Sequence, residues 1–246
     1  GFFDMFQKSV LMVCNKLVQH RGDSMPPLHC QNITCRRPSW NGRVQREVLD
    51  FSESFAAGTT TAFQSREESD AGLLLSILGM IERPDSGQIC VFGESVLEME
   101  PGDAHRFRDR AFGYLFTHPH LLPSFTVAEN IAMPFLRLFG NSIDAARERV
   151  AEVLDFAEVD VSCANLSMGD LDEAAHWRVA FARSIAHQPK ILVAVSPPAL
   201  FLLPLARRYA KQTGAVVLWN AGTADVSGLC ERVLSPERRK IAIPAS

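Results

Sequence analysis

The sequence predicts an α/β domain built on a mainly parallel β-sheet. Two short runs of continuous apolar residues, 190–195 and 215–219, are typical of strands that are buried on both faces. Segments with helical periodicity lie before, between and after the β-prone runs. Strands and helices that alternate in this way favour a parallel sheet covered by helices on its faces.

The predicted elements follow in chain order from apolar runs, turn residues and capping residues. Strands are expected at 28–36, 47–55, 59–64, 88–92, 112–116, 190–195 and 215–219. Helices are expected at 72–81, 126–139, 142–157, 170–187 and 203–213. Asp170 is the expected N-cap of the fourth helix, because its short carboxylate can accept a hydrogen bond from a free backbone N–H.

Composition bounds the class of protein. The chain has 246 residues, of which 47% are hydrophobic and 22% charged, which is too apolar for a disordered chain. Its net charge of −3 argues against a global polyanion-binding surface. No apolar run reaches the roughly 18–20 residues that span a bilayer, so a soluble or peripheral protein is expected. Six scattered cysteines without metal-ligand spacing favour a reducing compartment and no zinc site.

The first 24 residues form a separate segment with an apolar seam at helical spacing. The seam contains Phe3, Phe6, Val10, Val13 and Leu17. Spacings of three and four residues predict an amphipathic helix, and Gly22 and Asp23 end the pattern. The helix can pack on its own core or dock on a partner protein or membrane surface. Residues 25–246 are predicted to form the main domain.

Four stretches in a fixed order carry a family resemblance. They are LLSILGMIERPDSG at 74–87, FGYLF to TVAEN at 112–130, RVAFARSI at 178–185 and KILVA at 190–194. In this order and spacing they resemble the ATP-binding subunit of an ATP-binding cassette (ABC) transporter of the lipoprotein- and macrolide-export type. The resemblance covers roughly residues 28–243. It implies a P-loop NTPase-like domain with an antiparallel β subdomain and a helical subdomain near residues 118–188.

The phosphate loop of that family, GxxGxGK[ST], is altered here at its functional positions. Ala71 stands in place of the lysine that meets the β/γ-phosphates, and Gly72 in place of the magnesium-binding hydroxyl. The glycine positions hold Ser65, Glu68 and Asp70. Carboxylates are thus expected where a triphosphate would lie. Each close like-charge contact costs about 4 kcal/mol at about 4 Å and an effective dielectric near 20.

Other positions that the resemblance assigns to nucleotide chemistry are also changed. Thr117 replaces the Q-loop glutamine, and Ala221 replaces the switch histidine. Val195 and Ser196 replace the Walker B aspartate and the catalytic glutamate. The register of the LSGGQ signature falls on 171–175, whereas the similar letters of Leu166–Asp170 lie five residues upstream. Whether that upstream copy acts as a displaced signature stays open.

These departures predict a catalytically inactive, structural or regulatory subunit on the cytoplasmic face of a membrane complex. No metal is expected, and neither ATP nor magnesium is expected to bind in the usual way. The resemblance also implies a groove for a membrane permease, and a second ABC-type subunit is a possible partner. The candidate partner-binding residues are Leu121, Leu122, Phe125 and Phe135 in the groove and Phe3, Phe6 and Val10 on the N-terminal helix.

Three alternatives stay open. The first is a subunit that still binds or hydrolyses ATP through an unorthodox site, in which case replacing Ser69 or Ser167 abolishes turnover. The second is a soluble interaction module derived from a cassette, without a permease. The third is a relocated active site, with candidates among His118, His120, Asp172 and Glu173.

Overall fold

The computed structural model describes residues 25–38, 45–65, 68–140 and 142–236. The predicted N-terminal helix, with Phe3, Phe6 and Val10, lies outside these residues. Within the described ranges, no helix has both the length and the apolar character needed to cross a bilayer.

Three strands come first, and strands and helices are then interspersed along the chain. The strands are β1 (Leu28–Pro38), β2 (Gln45–Phe55), β3 (Thr60–Gln64), β4 (Ser86–Val91), β5 (Glu94–Ser95), β6 (Phe112–Leu115), β7 (Ile191–Ala194), β8 (Val216–Gly222) and β9 (Arg232–Leu234). The helices are α1 (Glu68–Leu78), α2 (Pro101–Ala111), α3 (Val127–Phe139), α4 (Ile143–Phe156), α5 (Glu173–Ile185) and α6 (Leu203–Thr213).

The described strands form two sheets. One is antiparallel with the order β2-β1-β4-β5, and the other has the order β6-β7-β8-β3-β9 with parallel pairing throughout. Every residue of β7 is buried, as its continuous apolar run predicts. The predicted α/β class is therefore confirmed. Because parallel strands end at the same edge, the loops after β3, β6, β7 and β8 all leave from one side of the sheet.

The two faces of the parallel sheet belong to different cores. Helix α1 lies between this sheet and the antiparallel sheet, and its Leu73, Leu74 and Ile77 are fully buried there. The opposite face packs against α3 to α6 around Phe181 and Trp219. Because α1 packs against both sheets, its first turn is held at the carboxyl edge of the parallel sheet.

Two helix starts differ from the prediction. Helix α1 begins at Glu68 rather than at residue 72, so most of the predicted phosphate-loop register is helical. Helix α5 begins at Glu173, and its N-cap is Asp172, whose Oδ1 accepts a hydrogen bond from Ala175 N at 2.7 Å. Asp170 was the wrong choice, because its carboxylate accepts hydrogen bonds from Ser167 instead.

Helix α2 was missing from the prediction. Its sequence is strongly polar, and Ala111 is its buried residue. A helix that buries so little surface has no apolar stripe for a periodicity search to detect. Pro101 in its first turn is the one helix-start signal that the sequence offered.

Helix α3 begins with a capping box. Thr126 Oγ1 accepts a hydrogen bond from Glu129 N at 3.2 Å, while Glu129 Oε2 accepts one from Thr126 N at 2.7 Å. We expect Thr126→Ala to lower the free energy of unfolding by about 1 kcal/mol, because one N–H of the first turn loses its acceptor. Urea denaturation measures the change. Thr126→Ser keeps the hydroxyl and should stay close to the wild type, so an equal loss in both variants would contradict the capping role.

Candidate functional site

The carboxyl edge of the parallel sheet brings several predicted positions together. Ser65, directly after β3, donates its backbone N–H to Gly222 O at 3.1 Å. Gly222 ends β8 and follows Ala221, which is partly buried against the core. The first glycine position of the phosphate loop therefore lies beside the switch position. This neighbourhood follows from the β3–β8 pairing, in which Gln64 is opposite Gly222.

The start of α1 faces the residues that follow β7. A Cβ built on Gly72 would lie 3.7 Å from Ser196 Oγ and 4.0 Å from Val195 O. The residues predicted to be phosphate-loop and Walker B positions therefore lie close together. Because these distances are ordinary van der Waals contacts, a small side chain at residue 72 would fit there.

A neutral hydrogen-bond network connects the ends of β7 and β8 at this place. Asn220 Nδ2 donates to Val195 O at 2.8 Å and to Ser196 Oγ at 2.9 Å. Asn220 Oδ1 accepts from Gly222 N at 2.9 Å, and Ser196 Oγ donates to Val195 O. The side-chain amide of Asn220 is buried and cannot bind water. These hydrogen bonds replace its lost contacts with water and so avoid the cost of an unsatisfied buried polar group.

Asp70 does not point where the sequence predicts. Its Oδ1 accepts a hydrogen bond from the backbone N–H of Glu47 at 3.1 Å, so this carboxylate is turned toward β2. Ala71 is fully buried in the core that α1 shares with the antiparallel sheet. Both positions are already inside the helix, which aims them at the neighbouring sheet instead of at a ligand. The side chain of Glu68 lies outside the description.

The turn after β6 carries Thr117 and the two histidines. Thr117 is exposed, and His120 Nδ1 lies 2.7 Å from His118 O. Arg183 of α5 donates to Pro119 O and His120 O, each at 2.6 Å, and its burial lowers the pKa of the guanidinium. The structure therefore shows a turn anchored to α5. Among the residues that the structure describes, no group of three or more His, Cys, Asp or Glu could hold a metal ion.

The upstream copy of the signature forms a short turn of its own. Asp170 Oδ2 accepts hydrogen bonds from Ser167 N at 3.2 Å and from Ser167 Oγ at 2.7 Å. Leu166 O accepts one from Val127 N at 3.1 Å, which attaches the turn to the start of α3. Two residues separate the end of this turn from the start of helix α5, which lies inside the register 171–175.

The sequence pattern of the ABC transporter family matches residues 71–197, which contain the end of the phosphate-loop register, the Q-loop position and Walker B. This chain belongs to the ABC transporter family. The cassette is 30% identical to the lipoprotein-releasing system ATP-binding protein LolD 1 of Caulobacter vibrioides, over 79% of this chain and 86% of that protein. It is 28% identical to the protein of the same name from Rhodopseudomonas palustris, over 81% of this chain and 91% of that protein.

Solved structures confirm the cassette fold. The dimeric ATP-binding cassette MJ0796 bound to ADP and Pi superposes with a TM-score of 0.72 and 20% identity, covering 85% of this chain and 93% of that one. The cassette cbiO1 from Clostridium perfringens, part of the transporter complex cbiONQ, superposes with a TM-score of 0.71 and 17% identity. The match covers 86% of this chain and 85% of that one. The predicted resemblance to a lipoprotein-export-like cassette is therefore confirmed.

The prediction of a catalytically inactive subunit was wrong. Relatives along most of this cassette are named ATP-binding proteins, and the family match contains the predicted Q-loop and Walker B positions. The expectation that the chain is not an enzyme is likewise not supported. The inference relied on carboxylates facing a triphosphate, and Asp70 is turned away from that place.

The candidate permease-binding residues of the cassette lie on the loop before α3 and on α3. Leu122 and Met133 are exposed, whereas Leu121 packs partly against the core. Asn130 holds the loop in place, because its buried amide accepts from Leu122 N at 2.7 Å and donates to Leu122 O at 3.1 Å. Phe125 and Phe135 are partly buried. Their role in partner binding stays a prediction.

Sequence reasoning missed Asn220, the centre of the polar network. One signal could have found it: an amide residue directly follows the buried apolar run at the carboxyl end of β8. It also missed the contact between Asp70 and Glu47, whose partners are 23 residues apart in the chain. No pattern in the sequence marks that pairing.

Proposed function

We propose that this cassette is an ATP-binding subunit of an ABC transporter and that it binds ATP through an unorthodox site at the carboxyl edge of the parallel sheet. The observation that carries the proposal is its 30% identity, over 79% of its length, to a protein named as a lipoprotein-releasing system ATP-binding protein. The juxtaposition of Gly72 with Val195 and Ser196 supports the location.

The start of α1 supplies the feature that attracts phosphate. The first turn of an α-helix has backbone N–H groups without intrahelical partners, and the helix dipole favours an anion there. Gly72 faces Ser196 and Asn220, where an added Cβ would make ordinary van der Waals contacts, and Asp70 directs its charge toward β2. Phosphate contacts at this site therefore come from backbone donors rather than from a lysine, which Ala71 replaces.

The subunit would act on the cytoplasmic face of a membrane, bound to a permease. The exposure of Leu122 and Met133 on the segment after the Q-loop position supports this part of the proposal. Leu121, Phe125 and Phe135 complete the proposed groove. Docking through Phe3, Phe6 and Val10 of the N-terminal segment is a further prediction on residues outside the described ranges.

Calorimetric titration of the full chain with ATP tests the site. We expect saturable binding in the wild type and a loss of at least about tenfold in affinity for Gly72→Leu, because the larger side chain fills the space beside Ser196. Gly102→Leu is the matched control. It makes the same change on α2, where the nearest side-chain atom to an added Cβ is Arg106 Nη1 at 3.7 Å.

Each outcome has a clear meaning. Loss of binding in the Gly72 variant but not in the Gly102 variant supports the proposed location. Equal binding in all three proteins places the ATP site elsewhere, and no heat at millimolar ATP in the wild type overturns the function. Turnover is measured in parallel with Ser69→Ala and Ser167→Ala. Unchanged turnover in both excludes these two hydroxyls from hydrolysis.

A further inference from the structure

We infer that the residues the structure describes at this site supply no ligand to a divalent cation, so that nucleotide binding to this cassette does not depend on one. The inference rests on the proposed function and concerns the same site. The family resemblance implies a hydroxyl at position 72 and a carboxylate at position 195 that bind magnesium. It also implies a carboxylate at position 196 that polarises the attacking water. Here those positions hold Gly72, Val195 and Ser196. A Cβ built on Gly72 would lie 3.7 Å from Ser196 Oγ and 4.0 Å from Val195 O.

The donor set at this place does not fit a divalent cation. Magnesium is held in proteins by carboxylates, waters and phosphates in octahedral geometry. Val195 O and Ser196 Oγ already accept hydrogen bonds from Asn220 Nδ2, at 2.8 and 2.9 Å, and Asn220 Oδ1 accepts one from Gly222 N at 2.9 Å. An amide NH₂ group carries partial positive charge and offers no lone pair, so it repels a cation.

Among the residues whose side chains the structure describes, the remaining candidate ligands are hydrogen-bonded or neutral. Asp70 Oδ1 is hydrogen-bonded to Glu47 N. Thr117, at the Q-loop position, brings one neutral hydroxyl. In the part of the chain that the structure describes, no cluster of three or more His, Cys, Asp or Glu is arranged for a metal ion.

Asn220 fills this edge of the sheet with a neutral group. Its amide connects the residues after β7 with the end of β8, through Val195 O, Ser196 Oγ and Gly222 N. The strands β7 and β8 are also paired directly in the sheet, and all of these contacts between the strand ends are made by neutral groups. The ligand that fits is a nucleotide triphosphate whose oxygens accept hydrogen bonds from backbone N–H groups of α1, with or without its own magnesium ion.

The test compares ATP binding to the full chain in EDTA and in millimolar MgCl₂. We expect the Kd to differ by less than about threefold between the two buffers, because no carboxylate in the described site takes up the cation. Binding that appears only with magnesium overturns the inference but leaves the proposed function standing. Absence of binding in both buffers overturns the proposed function, and the inference with it.

A restored metal site gives a second, independent readout. Gly72→Ser together with Val195→Asp installs a hydroxyl and a carboxylate at the family positions, and the space beside Gly72 admits the serine. We expect this double variant to bind ATP at least about tenfold more tightly in magnesium than in EDTA. The control pairs Gly72→Ser with Val195→Asn, which has the same shape without the charge. The same preference for magnesium in the wild type or in the control would contradict the inference.

Discussion

Replacing Gly113 with alanine should lower the free energy of unfolding by at least about 3 kcal/mol. Gly113 is the second residue of β6, where the strand passes under the end of α5. A Cβ at this position would lie 2.2 Å from Ser184 O and 2.9 Å from Pro189 Cγ. The closer atom belongs to the backbone of a buried helix, so it cannot rotate away and the strand and helix must separate.

Urea denaturation followed by tryptophan fluorescence measures the effect. Gly102→Ala is the control, because it adds the same methyl group on α2 with no backbone atom close by. That variant should match the wild type or be slightly more stable, since alanine favours a helix over glycine. A Gly113→Ala protein as stable as the control would show that α5 and β6 can move apart at little cost.

Acidification should destabilise the protein through His187. This side chain is 7% exposed, and its Nε2 donates to Phe112 O at 2.9 Å, while its Nδ1 is buried without a hydrogen-bond partner among the described residues. Burial is the main cause that lowers the pKa of His187 to about 4, and the positive charges of Arg149 and Arg137 lower it further.

The pKa difference gives the direction of the pH effect. An unfolded histidine titrates near pH 6.5, so between pH 6.5 and pH 4 the unfolded chain binds more protons than the folded one. The contribution of His187 is therefore fully present above pH 6.5 and is lost as the pH falls toward 4. It amounts to about 3 kcal/mol.

Free energies of unfolding at pH 7.0 and pH 4.5 test this for the wild type and for His187→Gln. Glutamine can still donate a hydrogen bond to Phe112 O but does not titrate. The free energy of unfolding of His187→Gln should therefore fall less between pH 7.0 and pH 4.5 than that of the wild type. Subtracting the variant's change in unfolding free energy from that of the wild type removes the contribution of the carboxylates, which both proteins share. His118→Gln, on an exposed histidine, should keep the wild-type pH dependence. Equal slopes for all three proteins would refute the role of His187.

Both predictions concern one junction. Gly113 and Phe112 of β6 contact Ser184 and His187 at the end of α5. This contact holds the strand that leads into Thr117, and Arg183 on the same helix anchors the turn that follows. The stability of the junction therefore bears on the geometry of the Q-loop position.

Local patterns were enough to predict most of the elements. The apolar runs of β7 and β8 and the capped start of α3 are properties of neighbouring residues, and the structure has them within one to three residues of the prediction. The order of four motif stretches was enough to predict the family. Helix α2 escaped detection, because it is polar and buries little surface.

The sequence by itself determined the α/β class and the family, whereas the assignment of side chains to the nucleotide-binding positions stays a prediction. Only the tertiary structure decided where those side chains point. Asp70 finds its hydrogen-bond donor 23 residues away in β2, and Asn220 finds its acceptors 24 and 25 residues away after β7. A sequence gives the charge of a residue, whereas its effect on a ligand depends on direction and on partners that the packing of α1 and the strand order bring together.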